Sequence, residues 1–237
     1  MKKRKAESIS IVIPTLNEES NIDLLYGQLV REVKRLGIVN YEIIFSDNGS
    51  SDNTLEIIKY ISRKDMGVKL VKVSKKYDKD LALFKGIEIA AGDLIITMDS
   101  DLQHPPREIK ALYKKWQNGY DVINAIRTKE AKKTYKKILS FAGYSIFKHV
   151  FKVDIRSGDF KLIDKQVRNK IIKKDKVNLP YRVIISKLSA RSTNITYDVP
   201  ERKYGITKYP LPKLIKLFMN YLFALMFFKA KRSARIN

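Results

Sequence analysis

The stretch Ile9-Ser10-Ile11-Val12-Ile13-Pro14-Thr15-Leu16-Asn17-Glu18-Glu19 decides the fold. A short β-rich run breaks at a proline into a polar, acidic cluster. Apolar residues at 22, 25, 29, 33 and 36 then follow at helical spacing, and Gly37 closes them. The alternation recurs downstream. Tyr41 to Phe45 precedes a helix beginning near Asp52, Val68 to Val73 precedes a helix near Lys79 to Ala91, and the run Leu94 to Met98 follows. A repeating strand-helix-strand pattern predicts an α/β fold with a Rossmann-like, mostly parallel central sheet flanked by helices. Ligands of such sheets bind beyond the carboxyl ends of the strands. Three of these ends carry Pro14 to Glu19, Ser46 to Asp52 and Asp99 to Gln103, so acidic and amide side chains gather at one rim.

Composition narrows the chemistry. With 237 residues, 44% of them hydrophobic, the chain can bury a sizeable core, which argues against intrinsic disorder. The absence of cysteine excludes a disulfide framework, a thiolate metal site and a cysteine nucleophile, and two histidines make a poor zinc site. Neither G-x-G-x-x-G nor G-x-x-x-x-G-K-[ST] occurs, so the dinucleotide fingerprint and the P-loop do not apply. What remains is the pair Asp99 and Asp101 at a strand end. Two carboxylates one residue apart can approach one hard cation, Mg²⁺ or Mn²⁺, with substrate phosphates and water completing the shell. The bland alternative is a turn with a helix cap, because Pro105 and Pro106 open the next helix.

The net charge of +23 is unevenly placed. Up to Ile126 there are 20 Lys+Arg against 18 Asp+Glu, and beyond it 28 against 7. Such asymmetry points to a polyanionic partner, nucleic acid or an anionic membrane surface, with a lysine-rich solvated face as the plain reading.

In order along the chain stand Ile-Pro-x-x-Asn-Glu-Glu (Ile13 to Glu19), Asp-x-Gly-Ser-x-Asp-x-Thr (Asp47 to Thr54) and Gly-Asp…Met-Asp-x-Asp-Leu-Gln-x-Pro-Pro (Gly92 to Pro106). This order resembles the inverting family-2 glycosyltransferases of the GT-A fold. Arg127, then Ser157 to Leu162, then Arg202-x-Tyr204-Gly205-x-x-Lys208-Tyr209 is similar to the polyprenyl-phosphate sugar transferases within them, the dolichyl-phosphate mannose synthase and bactoprenol glucosyltransferase group. The matches run from about residue 9 to 216.

The resemblance implies roles for individual residues. Pro14, Thr15, Asn17, Glu18 and Asp47 would line the nucleotide pocket. Asp99, Ser100 and Gln103 would meet the nucleotide sugar, with Asp99 and Asp101 holding the metal at its diphosphate. Asp159 matches the catalytic carboxylate, and Arg127, Arg202 and Lys208 would bind the acceptor phosphate or the leaving diphosphate. The expected reaction is inverting transfer of a hexose, glucose from UDP-glucose, to polyprenyl phosphate, giving a β-linked lipid-phosphate sugar. A phosphate acceptor is already ionised near neutral pH. It needs less proton abstraction than a hydroxyl acceptor, for which Asp159 would have to act as a general base.

Two departures from the family pattern stand out. Asn48 replaces a frequent second aspartate. Lys76-Tyr77-Asp78-Lys79-Asp80-Leu81 stands where relatives carry Asn-Phe-Gly-Lys-x-Ala, which leaves sugar identity open. His104 receives no role.

Residues 1-210 are expected to form the catalytic domain and residues 211-237 a basic amphipathic juxtamembrane segment. The apolar run Leu217 to Phe228 falls short of the roughly 20 residues a bilayer crossing needs. The basic start Met1 to Lys5 lacks a long apolar core after it, so the expected location is cytoplasmic and peripheral, at the inner face of the cell membrane. An integral membrane partner and a homo-oligomer stay open. Two competing readings are transfer to a saccharide or cell-wall polymer hydroxyl, and a non-catalytic basic module binding nucleic acid or anionic lipid. Acidic residues at three strand ends argue against the last, because carboxylates repel phosphates unless a metal intervenes.

Overall fold

The computed structural model describes residues 3–73, 79–128, 158–173 and 181–199. The boundary expected at residue 210 and the basic segment beyond it lie outside these residues. Seven described strands form one sheet: β1 (Ser8–Thr15), β2 (Asn40–Asp47), β3 (Val68–Lys72), β4 (Leu94–Thr97), β5 (Val122–Arg127), β6 (Lys161–Asp164) and β7 (Ser192–Tyr197). Their spatial order is β3-β2-β1-β4-β6-β5-β7. All neighbouring pairs are parallel except those of β6, which runs antiparallel to both β4 and β5.

Helices cover both faces. On one side lie α1 (Glu19–Arg35), α2 (Thr54–Lys64) and α4 (Ile109–Gln117), which bury Ile22, Leu25, Leu29, Ile58, Leu112 and Trp116 against Ile9, Ile11, Ile13, Ile43 and Phe45. On the other lie α3 (Lys79–Ile89), α5 (Lys165–Lys173) and α6 (Tyr181–Ser186), which bury Leu83, Ile87, Val167, Ile171 and Val183 against Val12, Ile44 and Ile95. Burial on both faces is why the central strands read as unbroken apolar runs rather than as alternation.

Local chemistry sets the helix ends. Gly37 adopts φ 70° just after α1, the left-handed stop that glycine tolerates without steric cost. The second helix starts at Thr54, two residues after the expected Asp52, because the Asp52 carboxylate accepts the Thr54 backbone N–H at 3.0 Å and so stands before the first turn. The third helix ends at Ile89, short of the expected Ala91, where Arg168 accounts for its last carbonyls: Nε donates to the Ile87 carbonyl at 3.1 Å, and Nη2 donates to that of Glu88. Among the described residues no helix is long and apolar enough to cross a membrane.

The third helix lies close enough to the sheet that a Cβ at Gly86 would fall against the Val12 side chain and within 2.6 Å of Ser46 Oγ. Replacing Gly86 by Ala should therefore lift α3 from β1 and β2 and cost about 1–3 kcal/mol. Urea unfolding would read this as a lower midpoint at unchanged slope, and an unchanged midpoint would refute the close approach.

Candidate active site at the carboxyl rim

The first two loops after the strands are stitched to each other. In the first, Asn17 sits at φ 53°, and its Oδ1 accepts the Ser51 N–H at 2.8 Å while its own N–H donates to Ser50 Oγ at 2.9 Å. Glu18 N–H donates to Thr54 Oγ1 at 2.8 Å. Asp47, the last residue of β2, accepts the backbone N–H groups of Gly49 and Ser50 at 2.9 and 3.1 Å. Aspartate folding back on its own loop in this way makes a rigid turn. The sequence-predicted residues Asn17, Glu18 and Asp47 are thus brought together, with their described bonds made largely within the two loops. Beside them Thr15 Oγ1 and Asn48 Oδ1 are buried and have no hydrogen-bond partner among the described residues. A buried polar atom costs free energy unless something pairs with it, and a ligand in this pocket could do so. Ser100 is buried next to the same loop, its Oγ donating to the Pro14 carbonyl at 3.4 Å.

The reversed direction of β6 makes the second half of the site. Thr97 of β4 pairs with Lys161 of β6, so two residues further on Asp159 comes opposite Asp99 at the same rim. The Thr97 hydroxyl donates to the Asp159 carbonyl and fixes this approach. Between the two carboxylates lies Lys79, the first residue of α3. Its Nζ is ion-paired with Asp99 Oδ1 and stands 2.8 Å from Asp159 Oδ2. Arg182 of α6 closes the other side with a fork, Nε to Asp159 Oδ1 at 2.8 Å and Nη2 to Oδ2 at 3.0 Å.

The charge states follow from these contacts. Burial pushes the Asp159 carboxyl upward, but Arg182 and Lys79 more than reverse this and hold it well below the usual carboxylate range. Asp99 is likewise raised by burial and, on balance, lowered by the neighbouring Lys79. Burial acts to lower the Lys79 ammonium, yet the two carboxylates outweigh it and raise its pKa.

His104 supports the loop from beneath. It is 2% exposed, stacks on Phe160 with ring centres 5.1 Å apart, and meets Tyr197 edge-on. Its Nδ1 accepts the Asp99 backbone N–H at 2.9 Å. Burial lowers its pKa, which keeps the ring neutral and leaves Nδ1 free to accept. Arg127 ends β5 at the same rim, where its Nε donates to the Tyr197 hydroxyl at 3.3 Å. Asp101 accepts the Gln103 N–H at 3.1 Å. Arg202 and Lys208 lie outside the described residues.

Lys79, Arg182 and His104 are the site residues that sequence reasoning missed. His104 carried a signal, being a lone histidine inside the Asp99 to Pro106 motif. Arg182 carried none that separates it from the other basic residues.

A divalent cation fits this rim. Asp99 already balances a cation, the Lys79 ammonium, and carboxylate oxygens are the hard donors that Mg²⁺ and Mn²⁺ take. Among the described residues no group of three or more His, Cys, Asp or Glu could hold a metal unaided. Asp99 and Asp101 would therefore share the ion with phosphate oxygens and water, as is usual for Mg²⁺.

A doubly covered, mostly parallel sheet with carboxylates gathered at the carboxyl rim defines a doubly wound α/β architecture. The chain belongs to glycosyl transferase family 2, whose model matches residues 10–178. It is 36% identical over 214 residues to the uncharacterized glycosyltransferase YkcC of Bacillus subtilis (strain 168), covering 89% of this chain and 66% of that one. It is 31% identical over 226 residues to the undecaprenyl-phosphate 4-deoxy-4-formamido-L-arabinose transferase of Proteus mirabilis (strain HI4320), covering 92% and 68%. The chain thus spans about two thirds of the length of these curated relatives. Its fold is similar to that of glucosyl-3-phosphoglycerate synthase from Mycobacterium tuberculosis, crystallised with Mn²⁺, UDP and phosphoglyceric acid. The TM-score is 0.63 at 19% identity, over 93% of this chain and 78% of that one. The GT-A architecture expected from the motifs is the one observed.

The Arg182 fork makes a pH-dependent prediction. Because the folded pKa of Asp159 is depressed, its contribution to stability is present above the unfolded value of about 4 and is lost as pH falls through the folded one. Arg182→Met should destabilise the protein by about 3 kcal/mol at pH 7. That gap should narrow as the pH is taken below about 4. Urea titrations across pH would test this, and a gap independent of pH would show that Arg182 contributes packing rather than charge.

Proposed function

We propose that this chain catalyses inverting transfer of a hexose, glucose from UDP-glucose, to polyprenyl phosphate at the inner face of the cell membrane, giving a β-linked lipid-phosphate sugar. The observation that carries the acceptor class is the state of Asp159. Both of its oxygens are engaged, one by Arg182 and the other by Arg182 and Lys79. A carboxylate held this way is a weak base, poorly suited to taking a proton from a sugar hydroxyl near neutral pH. A phosphate acceptor arrives ionised and asks for no such step. Asp159 would then orient the surrounding cations toward the acceptor rather than remove a proton.

On the donor side, Thr15 and Asn48 offer buried polar atoms to the nucleotide, and the stitched loops holding Asn17, Glu18 and Asp47 shape its pocket. Asp99 and Asp101 would hold Mg²⁺ or Mn²⁺, which neutralises the charge of the leaving diphosphate. Arg127 at the same rim, and Arg202 and Lys208 further along the chain, would supply cations for the acceptor phosphate or the departing diphosphate. The reading is supported by relatives such as the P. mirabilis undecaprenyl-phosphate sugar transferase. UDP as the nucleotide agrees with the complex formed by the structural neighbour. The basic second half suits an anionic membrane surface.

The test is a panel of UDP-glucose, other UDP-sugars and GDP-mannose with Mg²⁺ or Mn²⁺, offered undecaprenyl phosphate or a saccharide acceptor. The expected product is a sugar lipid from UDP-glucose, made at least about 100-fold more slowly by Asp101→Ala, which removes a metal ligand. No sugar lipid from any donor would refute the proposal. Product formed only on the saccharide, with a carboxylate-like pKa on the acid limb, would favour the hydroxyl-acceptor reading instead.

A further inference from the structure

Lys79 stands on one oxygen of Asp99, the carboxylate read as a metal ligand. Its ammonium is paired with Asp99 Oδ1, one of the two oxygens through which Asp99 could bind a metal, and it also holds Asp159 Oδ2 at 2.8 Å. It is not a loose surface lysine that swept in by chance. The helix that presents it is seated on the sheet through Gly86 and held at its far end by Arg168. What remains mobile is the four-carbon stem, and about a third of the side chain is exposed. An ammonium and a divalent ion on the same carboxylate repel each other, while without either one Asp99 would face Asp159 across the strand pair with Arg182 balancing Asp159 alone.

We propose that Lys79 is an internal counter-ion that competes with the divalent cation for Asp99, and that the anionic diphosphate of the donor relieves this competition. The proposal rests on the reading of Asp99 and Asp101 as metal ligands. Metal arriving alone meets the ammonium on the same carboxylate, and any displacement leaves Lys79 with Asp159 only. Metal arriving with a nucleoside diphosphate brings oxygens that can take up the displaced ammonium. Metal binding thereby becomes dependent on the nucleotide, and the site resists loading with a bare ion.

Mn²⁺ binding to the full chain at fixed pH, followed by the loss of the free-ion electron paramagnetic resonance signal with and without UDP, tests this apart from any transfer activity. Removing a positive charge from beside the ion should make Lys79→Gln bind Mn²⁺ alone about tenfold more tightly than the unaltered protein. The advantage should shrink or reverse when UDP is present. Lys79→Arg keeps the charge and should bind Mn²⁺ alone within about twofold of the unaltered protein. Thermal melts establish that each variant is folded. If Lys79→Gln gains no affinity for Mn²⁺ alone, or if Lys79→Arg gains as much as Lys79→Gln, the counter-ion role is wrong. Asp99→Asn separates the two levels. Should it leave Mn²⁺ binding unchanged, the metal assignment itself fails, and the competition falls with it.

Discussion

Two carboxylates that approach each other from neighbouring strands, at the edge of a low-dielectric core, are the constraint on which the rest of this structure depends. Asp99 and Asp159 can share the rim only because cations stand between and beside them. Each cation is supplied by a different helix on one face of the sheet, Lys79 by α3 and Arg182 by α6. The packing of that face is therefore an electrostatic requirement as much as a hydrophobic one. Breaking a buried pair leaves a bare charge, a far larger penalty than losing an exposed one. The opposite face works differently. There His104 is held by aromatic contacts with Phe160 and Tyr197 and supports the Asp99 loop through a neutral hydrogen bond to its backbone.

Two groups of polar side chains thus sit on different parts of one sheet. The loops after β1 and β2 bond to one another and leave buried polar atoms of Thr15 and Asn48 for a ligand. Asp99 and Asp101 follow β4, and Asp159 precedes β6. The strand order reverses between β1 and β4, with β2 and β3 on one side and β6, β5 and β7 on the other. Binding crevices in open α/β sheets form at such places because connections on either side diverge and leave the rim uncovered.

Much of this was legible in the chain itself. The apolar runs from Ile9 to Met98 and the helical spacing of Ile22, Leu25, Leu29 and Val33 are enough to predict a mostly parallel sheet flanked by helices, and the acidic strand ends mark its rim. Asp159 was found through its flanking motif. What the chain concealed was pairing across distance. Lys79 and Asp159 are 80 positions apart: Lys79 falls on the lysine of the Asn-Phe-Gly-Lys-x-Ala pattern without any sign of its partner, and nothing local distinguishes Arg182 among 48 basic residues. His104 was passed over because an isolated histidine says little until a ring is seen to stack on it and a backbone amide to donate to it. The inner bonding of Asp47 was hidden for a related reason: a carboxylate in a polar loop can equally reach a ligand or its own backbone, and here it takes Gly49 and Ser50.

The reversed strand also bears on how the chain becomes active as it is made. Residues up to Asp99 contain four parallel strands whose pairings join β1 with β2 and β4, and β2 with β3, so this part can gather its core while the remainder is still being synthesised. Strand β6 inserts between β4 and β5, and its pairing with β4 joins residues about 60 to 70 positions apart. Loop closure over such a span is slow compared with local strand formation. Asp99 and Lys79 thus come from the early part and Asp159 and Arg182 from the late part, and the full charge cluster comes into being only when the two meet. A half-made chain could shape the loops after β1 and β2 but would lack the carboxylate across the rim, so that the charge cluster is completed by the closing of the sheet.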